Sequence, residues 1–420
     1  MSADRIALHV LIDSRHSAML EGPIDKTRLL YDADPGPVPL SLSLPTERRR
    51  WRHDAVHPWI AALFPDNERT VARWRDQFGV VNHDHMALLP HVGEDLAGAA
   101  QFVSEDRLPA ILNREGDVVP LEDRQVGLLL DAIALGAPTP DFTHGRFSLA
   151  GAQAKLALRR VGEGWALPWG AEPSTHILKL AVAGLDGQAL AEVLTMKTAA
   201  RLGLEVAETW LGDFAGRQVI VVERYDRRLV EGRWRRVHQE DLGQAAGIDP
   251  WRKYEDRGGL GAAACADLLR RHTGESDVER FVDALIFNHL VQGTDAHARN
   301  YSVLLEAGLR PRLAPLYDLN SGLPYGPGWA QHAAMRIGGE SRFSRIGAGH
   351  WRVLAADCGL DKDQVVTRVA TLAAQVPDAL SDACREVAIP PDWVVWTTAF
   401  INAATDWCHS VAQALAAPSH

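Results

Sequence analysis

The spacing of apolar residues separates a helix-rich part of the chain from a strand-rich part. From about residue 240 onward, apolar residues recur at intervals of three and four, as in "CADLLRRHTG", "ERFVDALIFNHLV" and "QVVTRVATLAAQV". This spacing is typical of helices that bury one face. It predicts a mainly helical C-terminal unit over residues 241–420.

The preceding region has the alternating pattern of strands. "FSLAGAQAKLALRR", "THILKLA" and "RQVIVVERYDR" predict strands, and "LAEVLTMKTAARLGL" has the spacing of a helix. We expect these segments to form an α/β unit over residues 146–240.

The first 145 residues consist of short segments interrupted by Pro and Gly. "RIALHVLID" alternates like an edge strand, and "DNERTVARWRDQFGV" has a polar start at Asp66, helical spacing and a stop at Gly79. The pattern predicts a small α/β unit over residues 1–145. The whole chain should therefore have an α+β fold.

Composition narrows the class of protein. The 420 residues are 46% hydrophobic and 23% charged, which is ordinary globular usage, and the formal net charge of -10 argues against wrapping nucleic acid with the whole surface. Four widely spaced cysteines suggest neither a disulfide framework nor a zinc ribbon, so we expect a reducing, cytoplasmic compartment. The sequence contains no run of about 18 apolar residues, so no membrane association is expected.

The segment "GTDAHARN" carries the strongest candidate chemistry. Asp295 and Asn300 are separated by four residues, the spacing at which protein kinases place a catalytic base and a metal-holding amide. Alone, this spacing is weak evidence. Asp318 in "RLAPLYDLNSG" follows what we predict to be a hairpin strand, and its carboxylate could complete a Mg²⁺ site with Asn300.

The α/β unit supplies the groups that a nucleotide would need. "SLAGAQAK", from Ser148 to Lys155, is a turn of small residues whose N–H groups can approach phosphate. Lys179 lies on a predicted strand, and Glu192 on the following helix could pair with it. The apolar strand that ends at Glu223 suits a hinge beside an adenine. The order of these groups along the chain is that of a kinase.

These motifs, with "LSLSLP", "HQEDLGQAAGI" and "KYEDRGG", resemble the HipA family of serine/threonine kinases nearly end to end. Family members are the toxin half of bacterial toxin–antitoxin pairs. The resemblance implies a kinase-like, two-lobed architecture and a protein kinase that requires ATP and Mg²⁺. It also implies an aminoacyl-tRNA synthetase as substrate, with inhibition of translation and growth, and a helix-turn-helix, HipB-like antitoxin that binds operator DNA.

The resemblance assigns a role to each matching residue. Asp295 would be the catalytic base, Asn300 and Asp318 the Mg²⁺ ligands, and Ser148 an autophosphorylation site that switches the enzyme off. The residues expected to bind ATP are Ala150, Gly151, Ala152, Gln153, Ala154 and Lys155 in the phosphate loop, Lys179, Glu223, Arg224 and Tyr225 in the hinge, and His297, Arg299 and Tyr317.

Two positions depart from the family pattern, and two other functions remain open. Ala154 stands where the family usually has a carboxylate, and Arg299 replaces a more usual Lys. A small-molecule phosphotransferase would share the Asp295 to Asn300 spacing, and a catalytically silent corepressor would need only an antitoxin.

Two further patterns are interpreted as structural. "GGLGAAA" from Gly258 lacks the preceding strand of a dinucleotide site and predicts the start of a helix. His83, His85 and His91 have no regular metal-ligand frame and are interpreted as ordinary loop histidines.

Overall fold

The computed structural model describes residues 5–135, 150–151, 153–182, 184–326 and 328–416. Within these ranges, no helix combines the length and the apolar character needed to cross a membrane. The described residues form a mixed α and β structure with two larger antiparallel sheets and a helical C-terminal part.

The first sheet contains five antiparallel strands. They are β1 (Arg5–Ile12), β2 (Arg15–Pro23), β3 (Arg28–Tyr31), β4 (Arg50–Arg52) and β5 (Ala100–Val103), in the spatial order β4-β3-β2-β1-β5. Its helices are α1 (His53–Ala61), α2 (Glu68–Phe78), α3 (Leu89–Val92) and α4 (Leu108–Leu112). The helix predicted from Asp66 is confirmed: Asn67 accepts from the Arg69 N–H at the start of α2, and Gly79 ends it in a left-handed conformation.

The second sheet contains six antiparallel strands. They are β6 (Gly116–Leu121), β7 (Lys155–Val161), β8 (Gly164–Gly170), β9 (His176–Leu180), β10 (Thr209–Phe214) and β11 (Arg217–Glu223), in the order β10-β11-β9-β7-β8-β6. Two helices, α5 (Asp123–Leu135) and α6 (Gln188–Arg201), pack on it. Leu178 belongs to the apolar cluster under α5, so alternation along β9 turns Lys179 toward the opposite face.

The pairing of β6 corrects the expected boundary at residue 145. Residues 116–135 were expected in the first unit, but β6 pairs with β8 and α5 packs against β7 and β10. The segment "GDVVPL" has no regular alternation and contains Pro120, so its pattern does not predict a strand. Pro120 is tolerated here because β6 lies at the edge of the sheet.

The C-terminal part is mainly helical, as predicted. Its helices are α7 (Leu242–Ala245), α8 (Ala262–His272), α9 (Glu275–Leu290), α10 (Ala348–Asp357), α11 (Lys362–Glu386) and α12 (Val394–Ala416). Its short strands are β12 (Arg227–Val230), β13 (Arg233–Arg236), β14 (His238–Asp241), β15 (Ser302–Leu305), β16 (Arg312–Leu313), β17 (His332–Ile337) and β18 (Glu340–Arg342). The "GGLGAAA" segment leads into α8, which confirms its interpretation as the start of a helix.

One apolar core joins the second sheet to these helices. Val193 of α6 and Ile220 of β11 lie in the same buried cluster as Phe281 and Phe287 of α9 and Trp351 of α10. The face of the sheet that carries Lys179 is therefore held against the helical part by side-chain burial.

Glu240 of β14 joins the first sheet to the rest of the molecule. Its buried carboxylate accepts hydrogen bonds from the Ser41 hydroxyl (2.6 Å), the Leu42 N–H (2.7 Å) and the Trp59 indole N–H (3.0 Å). The "LSLSLP" and "HQEDLGQAAGI" segments thus meet at this junction. A buried carboxylate is tolerated where such donors satisfy it.

We expect Glu240→Ala to destabilise the protein by roughly 3 kcal/mol or more, because the buried donors would lose their shared acceptor. Thermal unfolding of the purified variant measures this. Glu163→Ala, at an exposed position, is the matched control and should unfold like the wild type. Equal unfolding midpoints for Glu240→Ala and the wild type would contradict the assignment of this junction.

Candidate active site

A cavity of about 740 Å³ lies between the second sheet and the helical part. Every described residue of the predicted site lines it, from Ala150 in the loop before β7 to Asp318 in the helical part. Ser148 and Ala152, also predicted, lie outside the described residues. Residues 168 positions apart in the chain, Ala150 and Asp318, therefore reach one cavity of a size typical of ligand sites.

Lys179 is the ionic centre of this cavity. Its buried ammonium donates to Glu192 Oε1 of α6 at 2.7 Å and to Asp318 Oδ1 at 2.8 Å. Burial alone would lower the pKa of Lys179, but Asp318 and Glu192 more than offset it and raise the pKa above its ordinary value. The lysine is therefore charged, and it ties the sheet to the helical part.

Asp318 is held by a second set of contacts. Burial raises the pKa of its carboxyl, but Lys179 and Lys155 outweigh burial and lower it, so the group is ionised. The Asn320 amide donates to Asp318 Oδ1 at 3.4 Å, and the Gln188 amide donates to Asn320 Oδ1 at 3.2 Å. An ionised carboxylate among amide groups is suited to a metal ion.

The backbone at Asp318 differs from the expectation. We predicted this residue at the end of a hairpin strand, but β16 ends at Leu313, and Asp318 has a φ of 58°. Most residues other than Gly, Asn and Asp rarely adopt this left-handed backbone conformation. At functional sites, a residue stays in it where surrounding contacts hold the residue in place. Here the ion pair with Lys179 supplies such a contact.

The segment from Asp295 to Asn300 forms a tight loop. The Asn300 amide donates to the Asp295 backbone carbonyl at 2.6 Å, so its Oδ1 is the atom available to a metal. The Tyr254 hydroxyl donates to Asp295 Oδ1 at 2.6 Å, and the Asp295 side chain is 51% exposed. His297 is buried beside it, and burial lowers the pKa of the imidazole, which favours the neutral form.

Protein groups bind the side chain of Arg299 on several sides. Its guanidinium donates to Asp66 Oδ1 at 2.9 Å, to the Ala62 carbonyl at 3.1 Å and to Asp241 Oδ2 at 3.4 Å. The two carboxylates balance its charge, and its contact with a nucleotide stays a prediction. Residues after α1 therefore hold the loop that carries Asp295.

Asp66 was missed by the sequence analysis, which treated it only as the start of a helix. Besides the bond from Arg299, the Asp66 carboxylate accepts a hydrogen bond from Lys253 Nζ at 3.5 Å. The backbone N–H of Asp66 donates to the Gly151 carbonyl at 3.3 Å. It therefore touches both the phosphate loop and the Asp295 loop. Local sequence contains no signal for contacts this far apart in the chain.

The described part of the phosphate loop is folded onto the cavity wall. Lys155 Nζ donates to the Ala150 carbonyl, and the Gln153 amide donates to the Leu180 carbonyl. A Cβ at Gly151 would come within 2.8 Å of Lys155 Nζ, and its φ of 101° also favours glycine. Burial, with the nearby Lys179 charge, lowers the pKa of Lys155 to about 8.

Ala154, where the family pattern has a carboxylate, packs against the apolar cluster that contains Leu178. An ionised side chain at this position would have to avoid that cluster.

The predicted hinge has fewer unbonded backbone N–H groups than expected. The Glu223 and Arg224 N–H groups donate to the carbonyls of Glu208 and Thr175, both at 2.9 Å. The Arg224 guanidinium is buried in an ion pair with Asp226 at 2.8 Å. Neither N–H is available to an adenine ring, and the contact of this segment with adenine stays a prediction.

Tyr225 and Tyr317 line the cavity side by side. Their ring centroids are 5.9 Å apart, and the Tyr317 hydroxyl donates to the Arg299 carbonyl at 2.9 Å. Tyr317 therefore helps to fix the Asp295 loop from the side of Asp318.

Comparison with known proteins agrees with this arrangement. Residues 147–380 match the family model described as HipA-like C-terminal domain, and residues 8–103 match the HipA N-terminal domain. The protein Y4mE of Sinorhizobium fredii, whose name assigns it only provisionally as a kinase, is 35% identical over 83% of this chain and 83% of its own. The serine/threonine-protein kinase toxin HipA of Shewanella oneidensis is 27% identical over 84% of this chain and 82% of its own.

A solved structure has the same fold. It is the complex of HipA, HipB and operator DNA from Shewanella oneidensis MR-1, whose matching chain superposes with a TM-score of 0.82 at 24% identity, over 96% of this chain and 97% of that chain. The expected α+β, kinase-like fold is therefore confirmed. From these matches and its own motifs, the chain belongs to the HipA family.

Proposed function

We propose that this protein is an ATP-dependent serine/threonine protein kinase that acts as the toxin of a toxin–antitoxin pair. The observation that carries the proposal is the ion pair of Lys179 with Glu192 and Asp318, in a cavity that Asp295 also lines. This combination of a strand lysine, a helix glutamate and a metal-binding aspartate is the arrangement that kinases use around a triphosphate.

Different residues of the cavity would bind the phosphates and accept the proton. Lys179 and Lys155 supply positive charge for the phosphates, which they can do without reorganisation because protein contacts already hold them. Asp295 would accept the proton of the acceptor hydroxyl through Oδ2, since Tyr254 occupies Oδ1. Tyr254 is a positioning residue in this scheme.

Asn300 and Asp318 fit Mg²⁺. An ionised carboxylate and an amide oxygen are hard donors of the kind that Mg²⁺ prefers, and both residues line the cavity. When bound, Mg²⁺ would neutralise charge on the β and γ phosphates. The buried His297 Nδ1 has no hydrogen-bond partner within the described part of the chain, which leaves a polar atom in the site for a bound ligand.

The family supports the finer parts of the proposal. The related HipA of Shewanella oneidensis is named a serine/threonine-protein kinase toxin, and its solved complex contains HipB and operator DNA. We extend this to a HipB-like antitoxin, to contact with operator DNA through that antitoxin and to action in the cytoplasm. An aminoacyl-tRNA synthetase as substrate and autophosphorylation at Ser148 belong to the same proposal.

Asp295→Asn tests the proposed reaction. The variant should bind ATP normally but transfer phosphate roughly 10² to 10⁴ times more slowly, because it lacks the base. Incubation with ATP and Mg²⁺, followed by mass spectrometry, should find phosphate on Ser148 in the wild type and not in the variant. Asp406→Asn, at an exposed position of α12, is the control. Undiminished phosphorylation in Asp295→Asn would refute the assignment, and a wild-type protein without Mg²⁺-dependent ATP binding would favour a silent corepressor.

Asp66→Asn should lower kcat about tenfold, which corresponds to about 1.4 kcal/mol of transition-state stabilisation. The substitution keeps the shape but weakens the hold on Arg299, so the Asp295 loop loses its fixed position. Because Asp66 contacts no substrate in this scheme, the KM for the protein substrate should change little. Asp76→Asn, on the exposed side of α2, should leave both constants unchanged. A rise in KM alone would argue against a positioning role.

ATP affinity should decrease as the pH rises above about 8, the pKa of Lys155 in the ligand-free protein. Phosphates favour the charged lysine, so binding raises its pKa. The affinity for ATP is highest at a pH below the pKa of Lys155 in the ligand-free protein. It decreases as the pH rises toward the higher pKa that Lys155 has in the ATP complex. Calorimetry in buffers of different ionisation enthalpy should therefore detect proton uptake near pH 8. Lys155→Arg should abolish this uptake, because Arg stays charged. Equal proton uptake in Lys155→Arg and the wild type would contradict the assignment.

A further inference from the structure

Two histidines and an aspartate come together outside the cavity. His53 and His57 lie one turn apart on α1, and Asp84 lies in the segment after α2. One ligand atom from each of the three side chains lies within 4.8 Å of the others. The sequence analysis considered His83, His85 and His91 instead, but His85 packs beside Phe64 and Trp251, and His91 stacks on Phe78.

The distance between the His57 and Asp84 side chains suits two ligands of one metal ion better than a direct hydrogen bond. His57 Nε2 lies 3.4 Å from Asp84 Oδ1, which is longer than the usual 2.7–3.2 Å for N–H···O. Two ligands of a tetrahedral zinc ion, each about 2.1 Å from the metal, are about 3.4 Å apart. The present spacing therefore matches one edge of such a site.

The second nitrogen of His53 is already held. Its Nδ1 is hydrogen bonded at 2.8 Å to the hydroxyl of Thr27, which is fully buried. With Nδ1–H donating to Thr27, the lone pair of Nε2 is free for a metal, an arrangement that is nearly general among metal-bound histidines. Asp84 is held as well, since its Oδ1 accepts the Met86 N–H at 2.9 Å.

We infer that His53, His57 and Asp84 form a binding site for a zinc-class divalent cation, with a fourth position open to solvent. Two imidazoles and one carboxylate favour Zn²⁺, Co²⁺ or Ni²⁺ over Mg²⁺ and Ca²⁺. The donor set thus differs from the oxygen ligands Asn300 and Asp318.

The protonation preferences agree with this assignment. Burial and the neighbouring His57 lower the pKa of His53, which favours the neutral form that binds metal. The neighbouring Asp84 carboxylate raises the pKa of His57, so the surroundings of this ring favour a positive charge. The ion would bind at the start of α1, whose other end leads to Ala62 and the contact with Arg299.

Spectroscopic titration of the full-length protein tests the site. Metal is removed with a chelator, and Co²⁺ is then added in the presence of excess Mg²⁺, which fills the oxygen-ligand site. We expect the intense visible absorption of tetrahedral Co²⁺, saturating at about one equivalent per chain and displaced by Zn²⁺. His57→Gln and Asp84→Asn should abolish it.

Two variants separate ligand loss from general damage. Thr27→Val removes only the hydroxyl that orients His53 and should weaken binding roughly 10-fold to 100-fold. His83→Gln, outside the cluster, should bind like the wild type. Zn²⁺ should also raise the thermal unfolding midpoint of the wild type, which requires no variant to fold.

The inference is overturned by any of three results: absorption typical of six-coordinate Co²⁺ only, equal binding by His57→Gln and the wild type, or no effect of Zn²⁺ on the wild-type midpoint.

Discussion

A buried ammonium needs negative partners, and Lys179 has two that come from different parts of the fold. Glu192 reaches it from α6 and Asp318 from the helical part, at 2.7 and 2.8 Å. Removing the ammonium would leave two carboxylates without this counter-charge, so the contact holds the second sheet against the helices. The cavity, the orientation of Asp318 and the position of the phosphate loop all depend on this arrangement.

The first sheet takes part in the site as well. Glu240 joins it to β14 through three donors, and Asp66 reaches both Arg299 and the Gly151 carbonyl. The Asp295 loop is therefore held on one side by residues that follow α1 and on the other by Tyr317. In this chain, the N-terminal region contributes directly to the geometry of the site.

The sequence alone predicted those site residues that occur in a recognisable order of motifs along the chain. Lys179, Glu192 and Asp318 were found because each occurs in a recognisable strand, helix or motif, and the structure brings them into contact. The apolar spacing of α2, α9 and α11 also predicted their helices. These features depend on local pattern, which the sequence displays directly.

What the sequence could not predict depends on tertiary contacts. The strand β6 has no clear alternation, and only its partner β8 defines it. Asp66 and Tyr254 contact residues far away in the chain, and Asp66 and Asp241 bind the Arg299 guanidinium. No local signal in the sequence separates these residues from ordinary polar residues.

We expect a metal-bound triphosphate to occupy this cavity between Lys179 and the Asp295 loop. A crystal structure with Mg²⁺ and a non-hydrolysable ATP analogue tests it most directly. Mg²⁺ should be coordinated by Asn300 Oδ1 and the Asp318 carboxylate, with the phosphates against Lys179 and Lys155. A nucleotide bound elsewhere, or a metal ion that contacts neither Asn300 nor Asp318, would contradict it.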